Sequence, residues 1–277
     1  MLRSLKVLWK YNRVGLLGTA VLLILLLLAV FPQQFTTEDP VDMTSANLIS
    51  PDNDHLMGTD VYGRDIWSRI VYGIRVSLSV SVLSVLTAAL IGVILGLMGG
   101  YLGGTVDSLI SWITNVLFSF PSILLAIVVV AIVGTGTLSV ILAIGIAFTP
   151  IFARVARAPV LSLKEREFVL AARSIGAPDL RILFRHILPN SWPPIIVQFT
   201  LSLSGAAVIE ASLSFLGLGV QPPTPSLGSL LSDSRTYMEI APWTVIFPGV
   251  FLGALILGAN LFGDAVQDAL DPLLRSQ

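Results

Sequence analysis

Few residues in this chain could do chemistry. There is no Cys, which excludes thiolate nucleophiles, disulfide frameworks and sulfur-ligated metals together. Two histidines, His55 and His186, are too few for a conventional metal centre, so no metal site is expected. The only lysines are Lys6, Lys10 and Lys164, and none closes a Gly-rich loop of the kind that cradles phosphates. Two acidic features stand out. Glu210 sits within an otherwise apolar stretch, where an ionisable group is costly and is by default a functional candidate. Asp60, Arg64 and Asp65 form a charged trio beside Gly58, Thr59 and Gly63, which reads as a tight, internally paired turn or as a contact surface for a partner.

The elements that carry these residues are membrane spans. Hydrophobic residues make up 55% of the chain and charged residues 12%, with a mean hydropathy of +0.87. Soluble domains carry about a quarter charged residues, so this chain could not cover its own surface in water. Its net charge of -1 gives no reason to expect nucleic acid as a partner. Residues 108–153 contain no ionisable group. As one helix they would reach roughly 69 Å, against a hydrocarbon core about 30 Å thick. They must cross twice, turning at Gly134-Thr135-Gly136-Thr137. Further spans read at 15–31, 76–98, 192–219 and 243–263, six in all. Residues 226–238, after Pro222-Pro223-Thr224-Pro225, are too polar to span and read as a short re-entrant or surface helix.

Charge sets the orientation. Twelve of the sixteen basic residues fall in the tail before the first span, in the 154–191 segment and at Arg275; the other face holds Arg64, Arg69, Arg75 and Arg235 among acids. The positive-inside rule puts both termini and residues 154–191 in the cytoplasm. Residues 1–14 are then a cytoplasmic tail, 32–75 an external segment, 76–265 a five-span core and 266–277 a second cytoplasmic tail. Ala29-Val30-Phe31 lacks a small-residue cleavage pattern, so the first span reads as a retained anchor. His55 and His186 fall on opposite faces and no span pairs two acids, so an intramembrane enzyme is a poor reading. A secondary transporter or channel is disfavoured by the lack of an inverted repeat. Glu210 lies 18 residues after Trp192. That is about 27 Å along the helix, near the outer end of the fifth span. It is a candidate for lining the outer mouth of a pathway, or else a paired interfacial acid. Pro121 and Pro150 fall inside apparent spans and permit kinks, and Gly92, Gly96 and Gly100 make a small-residue face for close packing.

The 154–191 segment is the most informative. Phe168, Ala171, Ala172 and Ile175 make the apolar stripe of a short helix. Gly176-Ala177 breaks the chain, Pro178 and Asp179 suit a helix start, and Leu180, Leu183, Phe184, Ile187 and Leu188 make a second stripe that Pro189 ends. Two basic amphipathic helices suit a soluble partner or an anionic lipid surface.

The run Glu167-Phe168-Val169-Leu170-Ala171-Ala172-Arg173-Ser174-Ile175-Gly176, with Leu188-Pro189 beyond, resembles the EAA loop of ABC-importer permeases. Three more stretches resemble the C-type permease of the peptide and nickel branch: His55 to Asp65 continuing to Leu78, Ser214 to Pro225, and Asn260 to Asp264 with Asp268 to Pro272. The resemblance implies an all-α type I importer transmembrane domain whose 165–189 loop couples to an ATPase, through Glu167, Ala171, Ala172, Gly176, Ala177, Pro178, Asp179, Leu188 and Pro189. Leu170 stands where the family has Glu, with Glu167 one turn away as a possible substitute. The implied partners are a B-type permease, two cytoplasmic ATPases carrying ATP and Mg, and an external solute-binding protein, in a bacterial or archaeal cell membrane. This chain itself binds no cofactor under that reading. The implied cargo is a di- or oligopeptide, with nickel, metal chelates, glutathione or opine-like compounds as alternatives.

Overall fold

The computed structural model describes residues 13–270. Among them the regular structure is all helical, with one isolated antiparallel bridge between Thr59 and Asp65. The long helices are α1 (Arg13–Val30), α2 (Ile66–Leu102), α3 (Gly104–Phe118), α4 (Ser122–Val133) and α5 (Thr137–Leu163). A short α6 (Glu167–Ser174) and a single turn α7 (Asp179–Ile182) follow, then α8 (Leu188–Phe215), α9 (Leu227–Ser234) and α10 (Trp243–Leu270). The N-terminal basic residues Arg3, Lys6 and Lys10, and Asp271, Pro272 and Arg275 at the other end, lie outside the described residues.

Four helices are long and apolar enough to cross a bilayer, counting the continuous run Asp179–Phe215 as one; a fifth crossing is possible if α3 and α4 form one broken span. In α1 the apolar run Val14–Val30 is shorter, at the lower edge of the roughly 17–25 residues a crossing needs. The expected turn at 134–137 is present, with Gly134 at φ 102° and Gly136 at φ 138°. The limb before it is not one straight helix, because α3 and α4 meet at 95°. Pro121 caps α4 with no N–H to donate, and it disfavours helical geometry at Phe120. What reads in sequence as a kink is therefore a full break. Pro150, by contrast, stays inside α5.

The spine is the α2–α5 pair. In a bilayer lipid is as apolar as Leu, so helices associate through close packing rather than water exclusion. Gly92 faces Thr149 and Phe152, Gly96 faces Ala153 and Ala156, and Gly100 faces Val160, so the two helices run parallel in register. The small-residue face predicted from sequence is this interface. Asp107 of α3 ties to Arg157 of α5 through two hydrogen bonds of 2.6 Å. Helix α8 runs antiparallel to α10, with Ser204 Oγ donating to Asn260 Oδ1 at 2.6 Å and Gly263 against Leu201. The contact of Gly18 with Leu261 brings α1 alongside α10, so both ends of the described chain lie at the end of the bundle where α2 finishes. Helix α9 is capped by a Ser226–Ser229 capping box and presses Gly228 against the backbone of Ala211. At eight residues it is too short to cross a bilayer.

Candidate functional site: the 164–188 loop and the opposite cap

Helix α5 continues to Leu163, ten residues into the segment read from sequence as loop. The remaining loop is built onto the ends of α2 and α5. Val169, Ala172, Ile182, Leu183 and Ile187 are buried against Leu97, Tyr101 and Val160. Helix α6 ends on Gly176 at φ 78°, a left-handed conformation that favours Gly and that most L-residues adopt only with strain. Gly176 N donates to Arg173 O at 3.0 Å and Ala177 N to Ala172 O at 3.1 Å, the paired bonds of a Schellman turn. Pro178 then sits at the N-cap of α7 and Asp179 in its first turn.

Polar contacts fasten this turn to the spine. The Tyr101 hydroxyl donates to Asp179 Oδ1 at 2.6 Å, Arg173 donates to the Tyr101 oxygen at 3.2 Å, and Lys164 Nζ donates to Gly100 O at 3.1 Å. The bond to Tyr101 also holds the exposed Arg173 guanidinium above its ordinary pKa. Movement of the loop therefore moves α2 and α5 with it, and through α7 it is continuous with α8.

The structure corrects three sequence expectations here. The inward face of α6 is Val169 and Ala172, while Phe168, Leu170 and Ile175 are exposed, Ile175 at 86%. Beyond α7, Ile182, Leu183 and Ile187 point in, and Leu180 and Phe184 point out. The periodicity finds a helix but cannot say which apolar side faces the protein when both sides carry apolar residues. Pro189 does not end a helix. Residues Leu183–Ile187 form a π turn, with Leu188 N bonding Leu183 O, and the chain runs on as α8. A wider turn accommodates a proline that lacks an N–H, and Pro189 occupies the first turn of α8, where that donor is not needed. Glu167 and Leu170 are both exposed, one turn apart on α6. Leu188 is half-buried, whereas Ala171 and Gly176 are exposed and Ala177 is half-buried.

Glu210 lies inside the bundle. It is fully enclosed, so it lines no open mouth in this structure. Ser214 Oγ donates to Glu210 Oε1 at 2.8 Å, and Ser77 of α2 and Ser226 of the α9 cap stand at the same carboxyl. Glu210 therefore knits three helices together near the α9 end of the bundle.

At that end the Gly58–Asp65 motif is an internally bonded cap. Arg64 Nε donates to Asp60 Oδ2 at 2.7 Å, and the buried Arg69 lies 3.6 Å from the same oxygen and 3.4 Å from Asp233 of α9. The Thr59 hydroxyl accepts from Ile49 N at 2.9 Å and donates to Ala46 O. Gly58 and Gly63 take φ 75° and 71° where the backbones of Ile49 and Thr44 press close. Asp65 caps α2, accepting from Ser68 N at 2.8 Å. Reading the sequence for metals misses that Glu38, His55 and Asp65 converge here.

Residues 88–276 match the family described as binding-protein-dependent transport system inner membrane component. The chain belongs to that family. It is 46% identical over 268 residues to the dipeptide transport system permease protein DppC of Alkalihalophilus pseudofirmus, covering 96% of this chain and 88% of that protein. It is 44% identical over 271 residues to the glutathione transport system permease protein GsiD of Escherichia coli, covering 96% of this chain and 89% of that one. The fold matches the methionine ABC transporter MetNI, solved in inward-facing conformations, with a TM-score of 0.58 at 21% identity over 73% of this chain and 96% of that chain. The chain is thus a multi-pass inner-membrane permease subunit with a type I fold, of the C-type in the peptide and nickel branch. It is a transporter component and not an enzyme, and ATP hydrolysis belongs to a separate subunit.

Proposed function

We propose that this permease forms half of the path by which an ATP-driven importer takes up di- or oligopeptides, with the α6–α7 loop as its lever. The observation that carries this reading is a loop rigidly fastened to α2 and α5 on one side and apolar on the other. Phe168, Leu170, Ile175, Leu180 and Phe184 present large apolar side chains outward beside Gly176. A cleft in an ATPase would desolvate that surface, and Tyr101, Asp179 and Lys164 would pass the displacement to the spine. Ala171, Ala177, Pro178 and Glu167 belong to the same docking face, and Leu188 and Pro189 to the junction with α8.

In this reading both termini and the loop are cytoplasmic, and α1 with the broken α3–α4 pair brings the crossings to six. The partners are a B-type permease, two ATPases holding ATP and Mg, and a solute-binding protein outside. The two permeases cross the bilayer side by side. A dipeptide is taken as the first reading on the 46% identity to a dipeptide permease, although a glutathione permease of Salmonella typhimurium is 46% identical as well, so identity alone does not separate the two cargoes. Glutathione, itself a tripeptide, is the second reading, on the 44% identity to its permease. The test is uptake into vesicles holding the whole complex, driven by ATP and supplied with its binding protein loaded with a labelled dipeptide or with glutathione. Saturable, ATP-dependent dipeptide uptake is expected; uptake of glutathione alone would favour the second reading, and uptake of neither would refute the peptide assignment.

A further inference from the structure

The cap opposite the loop holds a side-chain cluster outside the proposed lever. Glu38 follows the turn Pro32–Phe35, His55 lies in the loop before the Thr59–Asp65 bridge, and Asp65 caps α2. His55 Nδ1 lies 3.4 Å from Asp65 Oδ1 and 3.6 Å from Glu38 Oε1, and one ligand atom of each residue lies within 4.8 Å of the others. Bonds of about 2.0–2.2 Å to a first-row divalent ion put adjacent ligand atoms about 2.8–3.6 Å apart at octahedral to tetrahedral angles. The imidazole nitrogen stands at ligand spacing from each carboxylate, and the two carboxylates lie within 4.8 Å of one another, close enough for a small shift of Glu38 to bring all three onto one ion.

Two of the three ligands are also held in place. Asp65 is 5% exposed, and Ser68 N occupies its Oδ2, which leaves Oδ1 aimed at His55 with only the long 3.4 Å contact. His55 is pinned through its backbone: its N–H donates to Asp52 Oδ1 at 2.6 Å, and its carbonyl accepts from Asp52 N and Gly58 N at 3.0 Å each. Glu38 is half-buried and opens the cluster to solvent. The arginines nearest in sequence, Arg64 and Arg69, are engaged with Asp60 and Asp233. Two carboxylates therefore converge on a single imidazole.

We propose that Glu38, His55 and Asp65 form an external site for a first-row divalent cation, bridging the segment after α1 to the start of α2. One imidazole and two carboxylates with open positions suit zinc, manganese or ferrous iron better than calcium or magnesium. The inference rests on this chain's geometry and is independent of the cargo. The competing arrangement is an imidazolium held between the carboxylates with no metal.

The full chain in lipid nanodiscs, stripped with a chelator, is dialysed against Zn2+ at neutral pH, and bound metal is counted by mass spectrometry. One zinc per chain is expected, undisplaced by excess Mg2+. Glu38→Gln and His55→Gln should each weaken binding about tenfold or more, while His186→Gln, on the opposite face, should not. No retained zinc, or equal retention by the Glu38→Gln protein, would overturn the proposal. Glu38 is the deciding position because its partly exposed loop side chain is replaced without disturbing the cap of α2.

Discussion

Replacing Gly176 by Val is expected to cut ATP-driven uptake by about tenfold while the protein still inserts and assembles. The reason is conformational rather than steric. A Cβ at Gly176 meets nothing within 4 Å, but the residue sits at φ 78°. An L-residue in that conformation costs about 1–2 kcal/mol, and a β-branched one more. A cost of that size depopulates the turn roughly five- to thirtyfold where nothing else enforces it. Both Schellman bonds depend on the turn, and with them the angle between α6 and α7. Buried Val169, Ala172 and Ile182 resist its loss, which is why the protein should still fold. Asn tolerates this conformation, so Gly176→Asn should retain most of the activity. Uptake and ATPase rates of the three proteins check this; a Val variant with wild-type uptake would show that the turn is not part of the lever.

The largest effect on stability is expected at Gly96. A Cβ there would run into Ala153 O and stand 2.9 Å from Ala156 Cβ and 3.0 Å from Arg157 N. Backbone atoms cannot step aside as a flexible side chain can, so α2 and α5 must separate. Overpacking of this kind costs about 1–3 kcal/mol and occasionally more. Gly96→Leu should therefore lose most of its folded yield, and Gly96→Ala should melt measurably lower. Gly253 in α10 supplies a control of opposite sign. It is a helical glycine with open space around it, and Ala there should stabilise by up to about 1 kcal/mol. Thermal unfolding in nanodiscs separates these outcomes. If Gly96→Leu melts with the native protein, the α2–α5 contact is not the spine of the fold.

Both predictions rest on glycines visible in the sequence, and that is where sequence reading serves best. The Gly92, Gly96 and Gly100 spacing puts three small residues on one helix face, and a membrane helix has little use for such a face except close approach. The Gly134–Gly136 turn follows from length alone, because 46 residues without an ionisable group cannot cross once. Other features depend on contacts that no local pattern contains. Pro121 reads as a kink or as a break with equal ease, and the 95° bend is decided by how α4 lies on α5. Apolar residues on both sides of α6 left its inward face undetermined until Tyr101 and Val160 were seen beneath it. Glu210 stands alone in sequence, yet three serines from different segments close around it. Glu38, His55 and Asp65 likewise meet only because the cap opposite the loop folds back on itself.

The lever itself is tested most directly by cross-linking, for which the chain is well suited because it contains no Cys. A single Ile175→Cys substitution places a unique thiol on a side chain that is 86% exposed beside the Schellman turn. In the assembled complex this thiol should cross-link to the ATPase subunit with a yield that changes on ATP binding. Leu56→Cys, 67% exposed at the opposite cap, should not cross-link to it. An Ile175→Cys thiol that instead reacts with an impermeant reagent from outside the cell, or never reaches the ATPase while uptake proceeds, would contradict the account.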